Sequence, residues 1–210
     1  MGAALATTWR GVRILVREKG FLPMVLILGV VSVPYFAFIA VISYVLLDHY
    51  AVGYGEYNVL YLIFCLVNIV APYVYAFASK RMHGSTVLKG SIAAIGVTGV
   101  LLWCFGPAGP IAFLVAFMPA TLAEGIIRPL SYVVLLDQPN DRVGAASSFS
   151  HFSYNVFTAV ATVIATLPWW PNYIVGLAVI TIVSTLAMVV AYGVGLRGRK
   201  LDGGHHDTAQ

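Results

Sequence analysis

The basic residues of this chain are confined to alternate connections between long apolar stretches. Arg10, Arg13, Arg17 and Lys19 precede the first stretch; Lys80, Arg81 and Lys89 flank the second connection. Arg142 lies in the fourth, and Arg197, Arg199 and Lys200 follow the last stretch. The first, third and fifth connections contain no Lys or Arg. Positive charge stays on the cytoplasmic side of a membrane, so this alternation predicts six crossings with both termini in the cytoplasm. Only Arg128 neither lies in nor flanks a connection; it sits within a stretch.

Hydrophobic residues make up 60% of the chain and charged residues 10%, against about a quarter charged in soluble domains. The net charge of +4 is spread over connections, which fits orientation and attraction to lipid headgroups rather than nucleic-acid binding. A bilayer core needs roughly 20 helical residues to cross. The expected spans are A, Phe21–Leu47; B, Tyr57–Ala78; C, Ser85–Phe105; D, Ile111–Leu136; E, Val143–Leu167; and F, Asn172–Leu196. The apolar runs are too long for the strands of a membrane barrel. The expected fold is therefore an all-α membrane protein with six transmembrane helices over residues 21–196. Residues 1–20 form a cytoplasmic linker or an interfacial helix, and residues 197–210 a disordered cytoplasmic tail. In that tail His205, His206 and Asp207 lack the rigid placement a metal site needs. Cys65 and Cys104 lie in different spans, without metal or redox spacing, and read as packing residues. The first twenty residues lack the apolar core of a signal peptide.

Span D carries Glu124 and Arg128, four residues apart and hence on one helix face. A charge at mid-membrane costs about 2.5–3.5 kcal/mol on the insertion scale. Pro119 and Pro129 flank the pair and are expected to break the helix on both sides. Three readings are open. Span D ends near Ile127 and Arg128 is a cytoplasmic flank; the two form a packing pair; or Glu124 is a proton- or substrate-coupling site tuned by Arg128.

Asn68 in span B and Asn155 in span E suit interhelical hydrogen bonds, and His151 shares a face with Asn155. Tyr35 is a candidate for the lining of a cavity. Tyr44 fits either such a lining or an interfacial anchor. Gly144-Ala145-Ala146-Ser147-Ser148 favours close helix contact. No nucleotide-binding loop, zincin pattern, Ser elbow or Cys site is present, so neither an enzyme nor a cofactor is expected. Ser43-Tyr44-Val45-Leu46-Leu47-Asp48 at the end of span A echoes Ser131-Tyr132-Val133-Val134-Leu135-Leu136-Asp137 at the end of span D. Such an echo, three spans apart, is what a 3+3 inverted repeat gives.

The order of these stretches resembles the C-terminal half of a major facilitator superfamily transporter, in the Bcr/CflA-type drug-efflux branch. The match rests on Ser43 to Tyr50 followed by Gly55-Glu56-Tyr57, on Phe64 to Asn68, on Lys80-Arg81 and Gly84 as a degenerate cytoplasmic basic-loop motif, and on Arg142 to Ser148. The resemblance implies a six-helix bundle forming one wall of a central cavity, with spans A and D lining it. It further implies a bacterial inner-membrane, proton-coupled exporter of small organic molecules. A second six-helix half is then needed, either another copy of the chain or a separate N-terminal half. The alternative is an inactive fragment or a non-transporting assembly partner. The branch's best-known membrane acids belong to the other half, so the role of Glu124 rests on this sequence alone.

Overall fold

A computed structural model of the chain describes residues 11–18, 20–198 and 201. The candidate tail ligands His205, His206 and Asp207, and the first part of the expected linker, lie outside the described residues. Residues 11–17 are helical (α1). Six long helices follow: α2 (Phe21–Ser43), α3 (Tyr54–Ala78), α4 (Gly84–Phe105), α5 (Pro110–Leu136), α6 (Asn140–Ala165) and α7 (Tyr173–Gly195). No strand occurs among the described residues. At 1.5 Å per residue the shortest of the six, at 22 residues, spans roughly 33 Å, enough for a hydrocarbon core of about 30 Å.

Five of the six are both long and apolar enough to cross a membrane, which makes this an all-α membrane protein. The exception is α6, which the sequence pattern had grouped with the other apolar stretches. Its middle carries Ser147, Ser148, Ser150, His151, Ser153 and Asn155, and these dilute its apolar content. A narrow stripe of Ala146, Ser150, Tyr154, Ala161 and Ala165 is buried; its steps of four or seven residues keep it on one helical face.

Two other expectations are revised. Span A does not end at Leu47: α2 continues through a π-helical segment, Tyr44–His49, whose wider turn closes with Tyr50 N–H donating to the Val45 carbonyl at 3.0 Å. Span D is not broken at its prolines. Helix α5 runs unbroken through Pro119 and Pro129, because each proline removes one backbone bond and its neighbours hold the ladder. Arg128 therefore lies about two turns before the helix end at Leu136, not at a flank.

Helices adjacent in sequence mostly do not form the main pairs. The principal partners are α2 with α6 and α7, α5 with α3 and α4, α4 with α7, and α2 with α5. This set maps onto itself when α2 is exchanged with α5, α3 with α6, and α4 with α7. The α2–α6 pair is parallel and in register. The Phe21 and Phe149 rings are 6.2 Å apart near one end, a Cβ on Gly29 would fall 2.3 Å from the Phe157 ring, and Thr158 Oγ1 donates to Ser32 Oγ at 3.4 Å. The α3–α5 pair is parallel too, with Phe64 near Phe117 and Ala71 against Gly125. A Cβ on Gly195 would strike the Pro23 ring, so the end of α7 meets the start of α2.

Lipid tails are as apolar as the helix surfaces, so close van der Waals packing rather than hydrophobic exclusion holds such a bundle together. Small residues supply it. A Cβ on Gly125 would lie 2.3 Å from the Ala71 Cβ; the absence of one lets α3 and α5 touch beside Glu124. Aromatic rings fill the opposite half of the core. Phe38 stacks on Phe117 at 3.9 Å between centroids and on Phe113 at 5.3 Å, and packs against Phe64. Segment α1 is docked on α6. Leu15 is fully buried, Gly11 lies against Ala145, and Arg142 Nη1 donates to Glu18 Oε1 at 3.1 Å.

Candidate functional site

The charges of span D meet as their spacing requires. Arg128 Nε lies 3.2 Å from Glu124 Oε1, and Arg128 Nη2 donates to Glu124 Oε2 at 3.3 Å. This two-point contact is the geometry a guanidinium offers a carboxylate. The Glu124 side chain is 1% exposed and that of Arg128 39%, so the acid is buried and the base reaches outward.

A further donor comes from another helix. Tyr154 Oη on α6 donates to Glu124 Oε1 at 3.0 Å. The carboxylate thus receives one hydrogen bond on each oxygen, from Arg128 on Oε2 and from Tyr154 on Oε1, with the Arg128 Nε ion-pair contact beside them. An ionised carboxylate in an apolar bundle needs such partners, since burying it unpaired costs several kcal/mol. The cluster has two alternative bonding states. Ionised Glu124 accepts both bonds and pairs with the guanidinium, whereas a protonated acid gives up acceptor capacity and weakens its hold on Arg128.

Around this triad stand further polar groups. Tyr132, on the same α5 face one turn beyond Arg128, meets His151 of α6: Tyr132 Oη and His151 Nδ1 are 3.0 Å apart and the rings 4.8 Å apart. Asn68 Nδ2 on α3 donates to Tyr35 Oη on α2 at 2.9 Å. Tyr35 stacks against Phe64 and meets the edge of Phe36, which in turn meets Tyr154 edge-on. Tyr35, Tyr132 and Tyr154 all lie within electrostatic reach of the Glu124–Arg128 pair. Helices α2, α3, α5 and α6 therefore contribute to one polar region, buried at Glu124 and open at Arg128 and His151.

Of the expected residues, Glu124, Arg128, Tyr35, Asn68 and His151 are gathered here. Asn155 is exposed and makes no hydrogen bond among the described residues. Tyr44 is half exposed beside Tyr173, away from the cluster. The basic-loop residues form a separate site between α3 and α4. Lys80 and Arg81 are exposed there, with the Arg81 guanidinium 4.3 Å from the Phe77 ring centroid. Gly84 is buried under the backbone of Leu201. Cys65 and Cys104 are both free thiols. No grouping of His, Cys, Asp and Glu among the described residues suits a metal ion.

Sequence reasoning missed Tyr154 and Tyr132. Tyr132 follows Arg128 at helical spacing, and Tyr154 follows His151 by three residues; both spacings were readable. The link from Tyr154 to Glu124 spans 30 residues and leaves no local trace.

Fold and site together define an all-α membrane protein with an interhelical polar network centred on a buried acid–base pair. No protein-family profile, curated protein or solved structure matches the chain.

Proposed function

We propose that the chain is one six-helix half of a proton-coupled exporter of small organic molecules, of the major facilitator type. In this reading α6 is the sixth crossing, both termini are cytoplasmic, and the membrane is a bacterial inner membrane. A second six-helix half, another copy or a separate N-terminal half, supplies the facing wall. Glu124 exchanges the coupling proton, Arg128 is its counter-charge, and Tyr35, Asn68, Tyr132, His151 and Tyr154 line the path. No cofactor and no enzymatic step is involved.

The observation that carries the reading is the buried Glu124, held by a base on its own helix and a hydroxyl from α6. An intramembrane acid paired in this way is costly and marks an ion or substrate path. Two features of the fold support it. The helix pairings obey the exchange expected of an inverted repeat. Parallel packing of α6 along α2 gives a polar helix a protein-lined place in the membrane, where polar groups are tolerated. The polar residues of α6 then face a passage rather than lipid.

The bonding of both Glu124 oxygens also suits a second reading, in which the triad only fixes α5 against α6 in a non-transporting partner protein. Glu124→Gln separates the two. The exporter reading predicts that proton-driven efflux from proteoliposomes is lost while membrane insertion and the bundle fold persist. Unchanged efflux removes Glu124 from the mechanism. Absence of efflux from the wild-type chain, alone or with a matching N-terminal half, favours the structural reading.

A further inference from the structure

Two cavities adjoin at the end of the bundle that carries Lys80. The first, about 430 Å³, is lined by Ser79, Lys80, Arg81, Met82 and His83 at its polar side and by Leu130 and Val133 of α5. The second, about 330 Å³, is a groove lined by Gly90, Ala94, Pro119, Leu122, Ala123 and Ile126 between α4 and α5. Met82 and Val87 line both, so the two lie side by side. Along α4 the groove runs from Val87 to Ala94, about 10 Å of helix axis or a third of the hydrocarbon thickness. Gly90 faces open space there, since a Cβ on it would meet nothing within 4 Å.

The shape is that of an amphiphile, cationic at one end and apolar along the other. Of the two ion pairs among the described residues, neither involves Lys80, Arg81 or His83. Arg81 rests a face on Phe77, which leaves its N–H edge for an anion.

We propose that this is a binding site for an anionic phospholipid. The headgroup phosphate sits among Lys80, Arg81 and His83, and one acyl chain lies in the α4–α5 groove. Charge complementarity selects the anionic headgroup, and the groove selects a lipid over a soluble anion. The site is independent of the transport reading; it needs only membrane residence.

The test is native mass spectrometry of the full chain released from phosphatidylcholine bilayers containing phosphatidylglycerol. Wild type retains phosphatidylglycerol preferentially. Lys80→Gln with Arg81→Gln lowers that retention about 30-fold, the effect of two basic residues at an anionic headgroup. Lys89→Gln removes a charge from the same helix end but outside both cavities, and leaves retention within about twofold. Gly90→Phe fills the groove without touching a basic residue and lowers retention about tenfold, the loss expected from expelling roughly two buried methylenes. A loss of about fivefold from Lys89→Gln, the same per charge as in the double variant, reduces the site to diffuse surface attraction and overturns the proposal. An indifferent Gly90→Phe, or equal retention of inorganic phosphate by the chain in neutral lipid, overturns it as well.

Discussion

The contact between Gly125 and Ala71 gives a quantitative test of the helix packing beside the acid. A Cβ on Gly125 would lie 2.3 Å from the Ala71 Cβ, with Ala71 Cα next at 3.6 Å. Ordinary carbon contacts are about 3.5–4.0 Å, so Gly125→Ala forces α3 and α5 apart by more than 1 Å, roughly, and overpacking of this kind costs about 1–3 kcal/mol. Helix propensity offsets part of it, about 1 kcal/mol for Gly to Ala. Ala71→Gly carries its own propensity cost of similar size, about 1 kcal/mol. In the double variant the only atom too close is gone, and the new Cβ meets Ala71 Cα at 3.6 Å, an ordinary contact. The double variant is therefore expected to be more stable than the sum of the singles predicts, by about 1–3 kcal/mol. Unfolding of all four proteins in mixed detergent micelles, followed by circular dichroism, measures that coupling energy. Penalties that add to within about 0.5 kcal/mol would refute the close approach, and with it the placement of α3 beside Glu124.

Removing the acid while keeping the base has a separate signature. Glu124→Leu is expected to cost on the order of 2–3 kcal/mol, below the value for a fully buried pair because Arg128 is 39% exposed. Adding Arg128→Met recovers most of that loss in the same unfolding assay. Tyr154→Phe removes the hydroxyl donating to a buried carboxylate and costs about 1.5–3 kcal/mol. Asn68→Leu breaks only the bond to Tyr35 and costs about 0.6 kcal/mol, so the reverse order of these two would contradict the bonding described. Asn172→Ala removes the side-chain cap on the Ile174 N–H at the start of α7; the expected loss is about 1 kcal/mol, read as earlier fraying of α7 in amide exchange.

Much of the fold was legible because membrane crossing imposes length and apolarity on each segment separately. Spans B, C, D and F were placed within three residues of their helices, since loops such as Gly106 to Gly109 carry turn chemistry of their own. The pairing of Glu124 with Arg128 was legible because one helix supplies both, at a spacing fixed by its pitch. Contacts between helices were not. Asn155 looked equivalent to His151 on α6, yet only His151 finds a partner, Tyr132, and nothing near either residue encodes that difference. The prolines of α5 misled for a physical reason. A proline deletes one backbone bond, and in a packed bundle the remaining ladder carries the helix through. Helix α6 was harder again: its own composition does not mark it as a crossing, and its packing against α2 leaves no local trace.

That helix is where the account is most exposed. If α6 crosses, the chain traverses the membrane six times and its two ends lie on the same side. If α6 lies elsewhere, five crossings put them on opposite sides. Epitope tags at the N- and C-termini, probed by protease in intact spheroplasts and then after lysis, decide between them. The account predicts that both tags are protected until the cells are lysed. Cleavage of the C-terminal tag in intact spheroplasts, with the N-terminal tag still protected, would contradict it.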